Sequence, residues 1–223
     1  MPLANIVVET FLKGGPIMWP ILACLVVALA TVTERVLYWR KVRRLRADPV
    51  FAEALGDVRL GRFGPVWERT RDATSPFLVA LRAGLANGRA EPVTAMQLNA
   101  EETLEEAGAR QWLLSTIVTL APLLGLLGTV IGIMGSFQFI GSEQLAVAKV
   151  SGGVGEALIA TAAGLGIAIV CLIPHNYFHR RVQALRHDLE QAVNQAEVAL
   201  KAAAAAGQPV GEFQPETAAG RAR

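Results

Sequence analysis

Three long uncharged windows organise the chain, running from Gly14 to Thr33, from Gln111 to Ser142, and from Ala157 to Phe178 apart from His175. About 20 apolar residues cross a hydrocarbon core roughly 30 Å thick, so the pattern predicts membrane helices over residues 16–39, 111–141 and 151–178. Segment 1–15 mixes apolar and polar positions up to Leu12 and ends at Gly14-Gly15-Pro16, which predicts a short interfacial helix closed by a turn. Residues 40–110 are broken by Asp48-Pro49, Gly61, Gly64-Pro65, Ser75-Pro76, Asn87-Gly88 and Glu91-Pro92, the punctuation of several short helices. Within them Phe77, Leu78, Leu81 and Leu85 recur at helical spacing behind Ser75 as N-cap and Pro76 at the first helical position.

Helix-forming residues from Thr94 to Arg110, with Glu101, Glu102, Glu105 and Glu106 before the second window, predict one helix that enters the membrane without a break. Residues 142–150 form the loop between the second and third spans. Beyond the third span no Gly or Pro occurs from Arg180 to Ala206, and Leu185, Leu189, Val193 and Ala196 make one apolar stripe, so a helical extension covers 179–206. The Gly- and Pro-containing stretch 207–223 predicts a disordered tail. The fold class is therefore an all-α membrane protein with three transmembrane helices, two of them extended into the cytoplasm, and a small helical cytoplasmic insert.

Composition agrees with a membrane chain, because 52% of the 223 residues are hydrophobic and only 18% are charged. The net charge of +2 is no signal for nucleic acid, since the basic residues gather beside the spans. Arg35, Arg40, Lys41, Arg43, Arg44 and Arg46 follow the first window and Arg180, Arg181 and Arg186 the third, whereas the loop between the second and third holds Glu143 and Lys149. By the positive-inside rule the N-terminus and that loop face outward and the C-terminus faces the cytoplasm. Glu9 and Lys13, not a basic n-region, precede the first span and a basic block follows it, so it is expected to be retained and not cleaved as a signal peptide. Cys24 and Cys171 lie within apolar windows without C-x-x-C spacing and read as small buried hydrophobes, not as a disulfide or metal pair. No nucleotide-binding, zinc-protease or serine-hydrolase motif occurs, so an enzyme is not expected.

In the second span Gly125, Gly128, Thr129, Gly132 and Ser136 fall at steps of three and four, a stripe that lets another helix approach closely. In the third span Gly153, Ala157 and Thr161 form one such stripe, and Glu156, Ala160, Gly164 and Ala168 the adjacent one. Helix packing accounts for the small residues by itself. The two threonine hydroxyls can bond back to a carbonyl one turn earlier or can hold protons in transit. Glu156 is a chargeable group set against a membrane segment, for which ion handling is the default reading. With Gly153 as N-cap it would equally serve as a third-position carboxylate stabilised by free amides and the helix dipole. Glu34 and Arg35 read as an interfacial pair or as snorkelling charges, and His175 and His179, at the cytoplasmic end of span three, as groups that could titrate near neutral pH but more readily serve an interface without proton transfer.

The segments Ala121-Pro122-Leu123-Leu124-Gly125-Leu126-Leu127-Gly128-Thr129-Val130 and Gly155-Glu156-Ala157-Leu158-Ile159-Ala160-Thr161-Ala162-Ala163-Gly164-Leu165 together resemble the signature of the MotA/TolQ/ExbB proton-channel family. Three spans place the likeness on the ExbB/TolQ branch. The resemblance extends from Pro16 to Ala206 and departs from the common pattern at Ile173-Pro174-His175-Asn176-Tyr177. It implies a homo-oligomeric bundle, a pentamer whose second and third spans line a pore in the bacterial inner membrane. That pore would hold the single spans of an ExbD/TolR-like dimer carrying the main protonatable aspartate. Thr129, Glu156 and Thr161 match the pore-lining positions of the family, protons are the coupling ion, and no other cofactor is implied. The work done would be TonB-dependent outer-membrane transport, with TonB- or TolA-like proteins downstream. Tol-Pal envelope maintenance and gliding motility are the alternatives within the family, and a non-conducting membrane scaffold is the alternative from another class.

Overall fold

The computed structural model describes residues 2–45, 49–138 and 146–208, and among these the chain folds into eight helices with no strand. In chain order they are α1 (Pro2–Lys13), α2 (Met18–Leu45), α3 (Pro49–Arg59), α4 (Phe63–Arg69), α5 (Pro76–Ala86), α6 (Pro92–Gly108), α7 (Gln111–Phe137) and α8 (Ala146–Ala205). Three of the helical stretches are long and apolar enough to cross a bilayer, and their apolar windows fall in α2, α7 and the first part of α8. Large apolar side chains on them, such as Leu123, Met134, Leu158, Ile169 and Ile173, are exposed, as suits surfaces that meet lipid or another chain instead of water. The all-helical fold with three membrane helices is therefore as the hydrophobic pattern predicts. The expected tail from residue 209 onward, the end of the expected second span over residues 139–141 and the part of the expected loop over residues 142–145 lie outside the described residues.

The chain divides into two units. The first contains residues up to Arg35 together with Arg110–His179, and the second contains Val36–Ala109 with the chain from Arg180 onward. In the first unit α1 ends at a turn in which Gly15 takes a φ of 72°. Phe11 and Trp19 meet edge to face at 5.2 Å across that turn. Met18, Ile21 and Ala160 are buried there among Phe11, Ile17, Leu124, Ala163 and Ile167, so α1, α2, α7 and α8 share one apolar junction.

The second unit is built by α3, α4, α5, α6 and the end of α8 around Ala54, Val58, Val66, Leu81, Leu85, Met96, Ala196, Ala199 and Ala203. The stripe expected on the last helix is buried throughout, since Leu185, Leu189, Val193 and Ala196 are each at most 5% exposed. Phe77, Leu78, Leu81 and Leu85 are buried as their spacing requires, with Ser75 at the N-cap of α5 and Pro76 opening the helix. The Arg82 guanidinium lies 3.7 Å over the Trp67 ring and donates to the Trp67 carbonyl at 2.6 Å, tying α5 to α4.

Two expectations are corrected. The helix before the second span does not enter it unbroken, because α6 stops at Gly108 and α7 starts at Gln111. Ala109 is extended and Arg110 adopts a left-handed φ of 61°, a conformation a non-glycine residue rarely takes without an anchor. The anchor is Glu34 of α2, whose carboxylate pairs with the Arg110 side chain through one oxygen and with Arg35 at 2.9 Å through the other. The second correction concerns the loop over 142–150, since α8 is already helical from Ala146. Gly153, read as a possible N-cap, lies inside α8.

Candidate functional site

The site is the seam between α7 and the first part of α8, where an antiparallel row of small residues brings two backbones together. A methyl group built on Gly164 would lie 2.4 Å from the Ala121 carbonyl oxygen, and one on Gly125 would lie 3.0 Å from the α-carbon of Thr161. Further along, Gly128 would meet the Ala160 methyl at 2.8 Å, Gly132 the Ala157 methyl at 2.9 Å, and Gly153 the Ser136 hydroxyl at 2.1 Å. The predicted stripe of Gly125, Gly128, Gly132 and Ser136 thus packs on Gly153, Ala157, Ala160 and Gly164, each pairing requiring a side chain no larger than the one present. Ala157 and Ala160 are buried at 2% and 1% exposure, which closes the seam to solvent.

The two threonines part company. Thr161 donates across the seam to the Gly125 carbonyl at 2.8 Å, a hydrogen bond that only the missing side chain at Gly125 permits. Thr129 donates within its own helix to Leu126 at 2.6 Å, the back-bonded state common for membrane threonines. Ser136 does the same toward Gly132 at 2.8 Å. Both threonines are partly exposed, and their hydroxyl oxygens retain acceptor capacity.

Glu156 is partly buried, and its capping role does not hold, because α8 begins at Ala146 and Glu156 sits well past the first turn. Its carboxylate lies against the α1–α2 turn: a methyl group on Gly15 would fall 1.6 Å from Glu156 Oε1 and 2.6 Å from the carboxyl carbon. A cavity of about 140 Å³ opens beside it, lined by Gly14, Pro16, Ile17, Gly128, Ile131, Gly132 and Glu156. Sequence reasoning gave Gly14-Gly15-Pro16 only the role of a turn and gave Ile17 none. The signal for both was the side chain missing at Gly15 and Gly128, which says that something approaches but not what. The carboxylate thus borders a cavity large enough to hold water.

A second polar group joins Glu34 of α2 to Arg110, the residue before α7. The Glu34–Arg35 pair is the interfacial pair expected, with Arg110 as a further cation. The rings of His175 and His179 stack with centroids 6.3 Å apart on α8. Cys24 is partly buried and Cys171 buried, and both are free thiols. Among the described residues no group of three or more His, Cys, Asp or Glu is placed to hold a metal ion.

The sequence profile of the MotA/TolQ/ExbB proton channel family matches residues 74–191, more than half of the chain and the part that contains the whole α7–α8 seam. The putative biopolymer transport protein ExbB-like 1 of Synechocystis sp. is similar at 35% identity over 175 residues, covering 74% of this chain and 67% of that protein. The biopolymer transport protein ExbB of Neisseria gonorrhoeae is 42% identical over 88 residues, 39% of this chain and 40% of its own. The Tol-Pal system protein TolQ of Haemophilus influenzae is 39% identical over 95 residues, 42% of each chain. With its seam of small residues and its membrane carboxylate, the chain belongs to the MotA/TolQ/ExbB proton channel family, on the ExbB/TolQ-like branch.

Proposed function

We propose that the chain is the channel subunit of an inner-membrane motor that couples inward proton flow to movement of an ExbD/TolR-like partner. The single observation that carries this is the Glu156 carboxylate, partly buried at a membrane helix beside a water-sized cavity. No basic side chain is paired with it among the described residues, so a structural ion pair does not account for it. Thr161 at the seam and Thr129 on the margin of the α7 stripe supply hydroxyls along the same two helices. In this reading five copies surround the partner's single spans, and the partner's aspartate is the main proton carrier. The N-terminus is periplasmic and the C-terminus cytoplasmic, as the basic blocks after spans one and three favour. One charge crossing 100 mV releases about 2.3 kcal/mol, so a few protons suffice for a mechanical step.

The relatives that cover most of the chain carry ExbB-like names, which favours energised outer-membrane transport through a TonB-like protein over envelope maintenance of the TolQ kind. Substitution of Glu156 by Gln and of Thr129 by Val, at matched membrane levels, tests the reading in cells. Loss of proton-dependent uptake with both variants is expected. Full activity in both would leave a non-conducting scaffold as the better account. Reconstitution with the partner in liposomes containing a pH dye gives the conduction directly.

A further inference from the structure

The α1–α2 turn touches the one membrane carboxylate of the seam, and neither its packing nor its chain reversal requires that. We infer that the Gly14-Gly15-Pro16 turn forms the mouth of a small hydrated chamber at Glu156, and that Gly15 is the positioning residue that gives this carboxylate its access to water. The inference rests on the reading of Glu156 as part of the proton path and adds the element that admits protons to it.

Three observations converge on Gly15. Its φ of 72° lies where side chains are disfavoured, so the turn selects glycine on backbone grounds. Independently, the space a side chain would fill is occupied by Glu156 Oε1, 1.6 Å from the ideal methyl position. The cavity beside the carboxylate holds about 140 Å³, room for roughly four waters at about 30 Å³ each. The groups that face Glu156 there are Gly14, Pro16 and Ile17 from the α1–α2 turn, and Gly128, Ile131 and Gly132 from α7, none of which titrates. The α1 cation Lys13 is engaged with Glu9 at 2.7 Å. Water in the cavity is therefore the polar partner left to Glu156 from this side, and a side chain at position 15 would displace the carboxylate from its place beside that cavity.

The test uses the full-length protein in native membranes and dicyclohexylcarbodiimide, which modifies protonated carboxyl groups in apolar surroundings, with the adduct on the Glu156 peptide read by mass spectrometry. Asparagine tolerates a positive φ, so Gly15→Asn separates filling the chamber from straining the turn. The expected result is that the wild type is labelled, Glu156→Gln is not, and Gly15→Asn is labelled about tenfold more slowly. Labelling of Gly15→Asn at the wild-type rate overturns the inference. If Gly15→Asn does not accumulate in membranes, the double variant Gly15→Asn/Glu156→Ala should, because the carboxylate that clashes is gone, and failure of the double variant also overturns it. The labelling does not depend on conduction. Full proton-dependent activity of Glu156→Gln would sink the motor reading and leave the accessibility result standing by itself.

Discussion

At the scale of single residues, the two threonines that look alike in sequence are expected to behave differently. Thr161 carries a hydrogen bond from α8 to the backbone of α7, whereas the bond of Thr129 stays within α7. Membrane interhelical hydrogen bonds average about 0.6 kcal/mol with a maximum near 1.7. Thr161→Val should therefore lower the thermal stability of the detergent-solubilised protein measurably, and Thr161→Ser should restore it. Thr129→Val loses only a back-bond, so its melting temperature should stay at the wild-type value. An activity loss in Thr129→Val then reports on the proton path and not on folding. Glu156 teaches a related lesson, because a carboxylate three residues after a glycine has the local signature of a helix cap, and only the extent of α8 removes that role.

At the scale of elements, the α7–α8 seam is governed by contact of backbone on backbone. Gly164→Ala sets a methyl group against the Ala121 carbonyl, an atom that cannot move without moving α7. Overpacking of this kind costs about 1–3 kcal/mol and should show as a lower unfolding midpoint. Gly155→Ala is the matched control, since nothing lies within 4 Å of its ideal methyl position in the chain. It should gain about 0.5–1 kcal/mol from helix propensity. A loss in its place would locate a second chain against that face of α8. The joint between α6 and α7 belongs to the same scale. The run from Thr94 to Arg110 is helix-forming by composition, and that local propensity does not foretell a break. What fixes the joint is the reach of Glu34 from another helix to Arg110.

At the scale of the whole molecule, the second unit is discontinuous in sequence, and its core includes Val193, Ala196, Ala199, Leu200 and Ala203 from the end of α8. Ending the chain at Arg181 removes that wall and leaves Leu81, Leu85 and Met96 without their cover. Limited proteolysis of membranes should then cut within residues 49–108, which should resist cleavage in the intact chain. Leu81→Ala, at a site 1% exposed, should act in the same direction at a cost of about 2–5 kcal/mol. Cleavage unchanged in both variants would mean that the insert holds together without α8.

The sequence by itself determined the class, the three spans, the apolar stripe of the last helix and the small-residue faces of the second and third spans. Each follows from periodicity and transfer free energy, which are properties of local chain segments. Two ordered motifs were enough to name the family. Which small residue meets which, that Thr161 and not Thr129 bridges the seam, that α8 starts before its glycines and that the chain breaks between α6 and α7 at Arg110 were decided by the tertiary structure alone. A missing side chain says that something comes near, and only the packed helices say what. Glycine at position 15 reads as a turn in one dimension, and in three it is the space that Glu156 occupies.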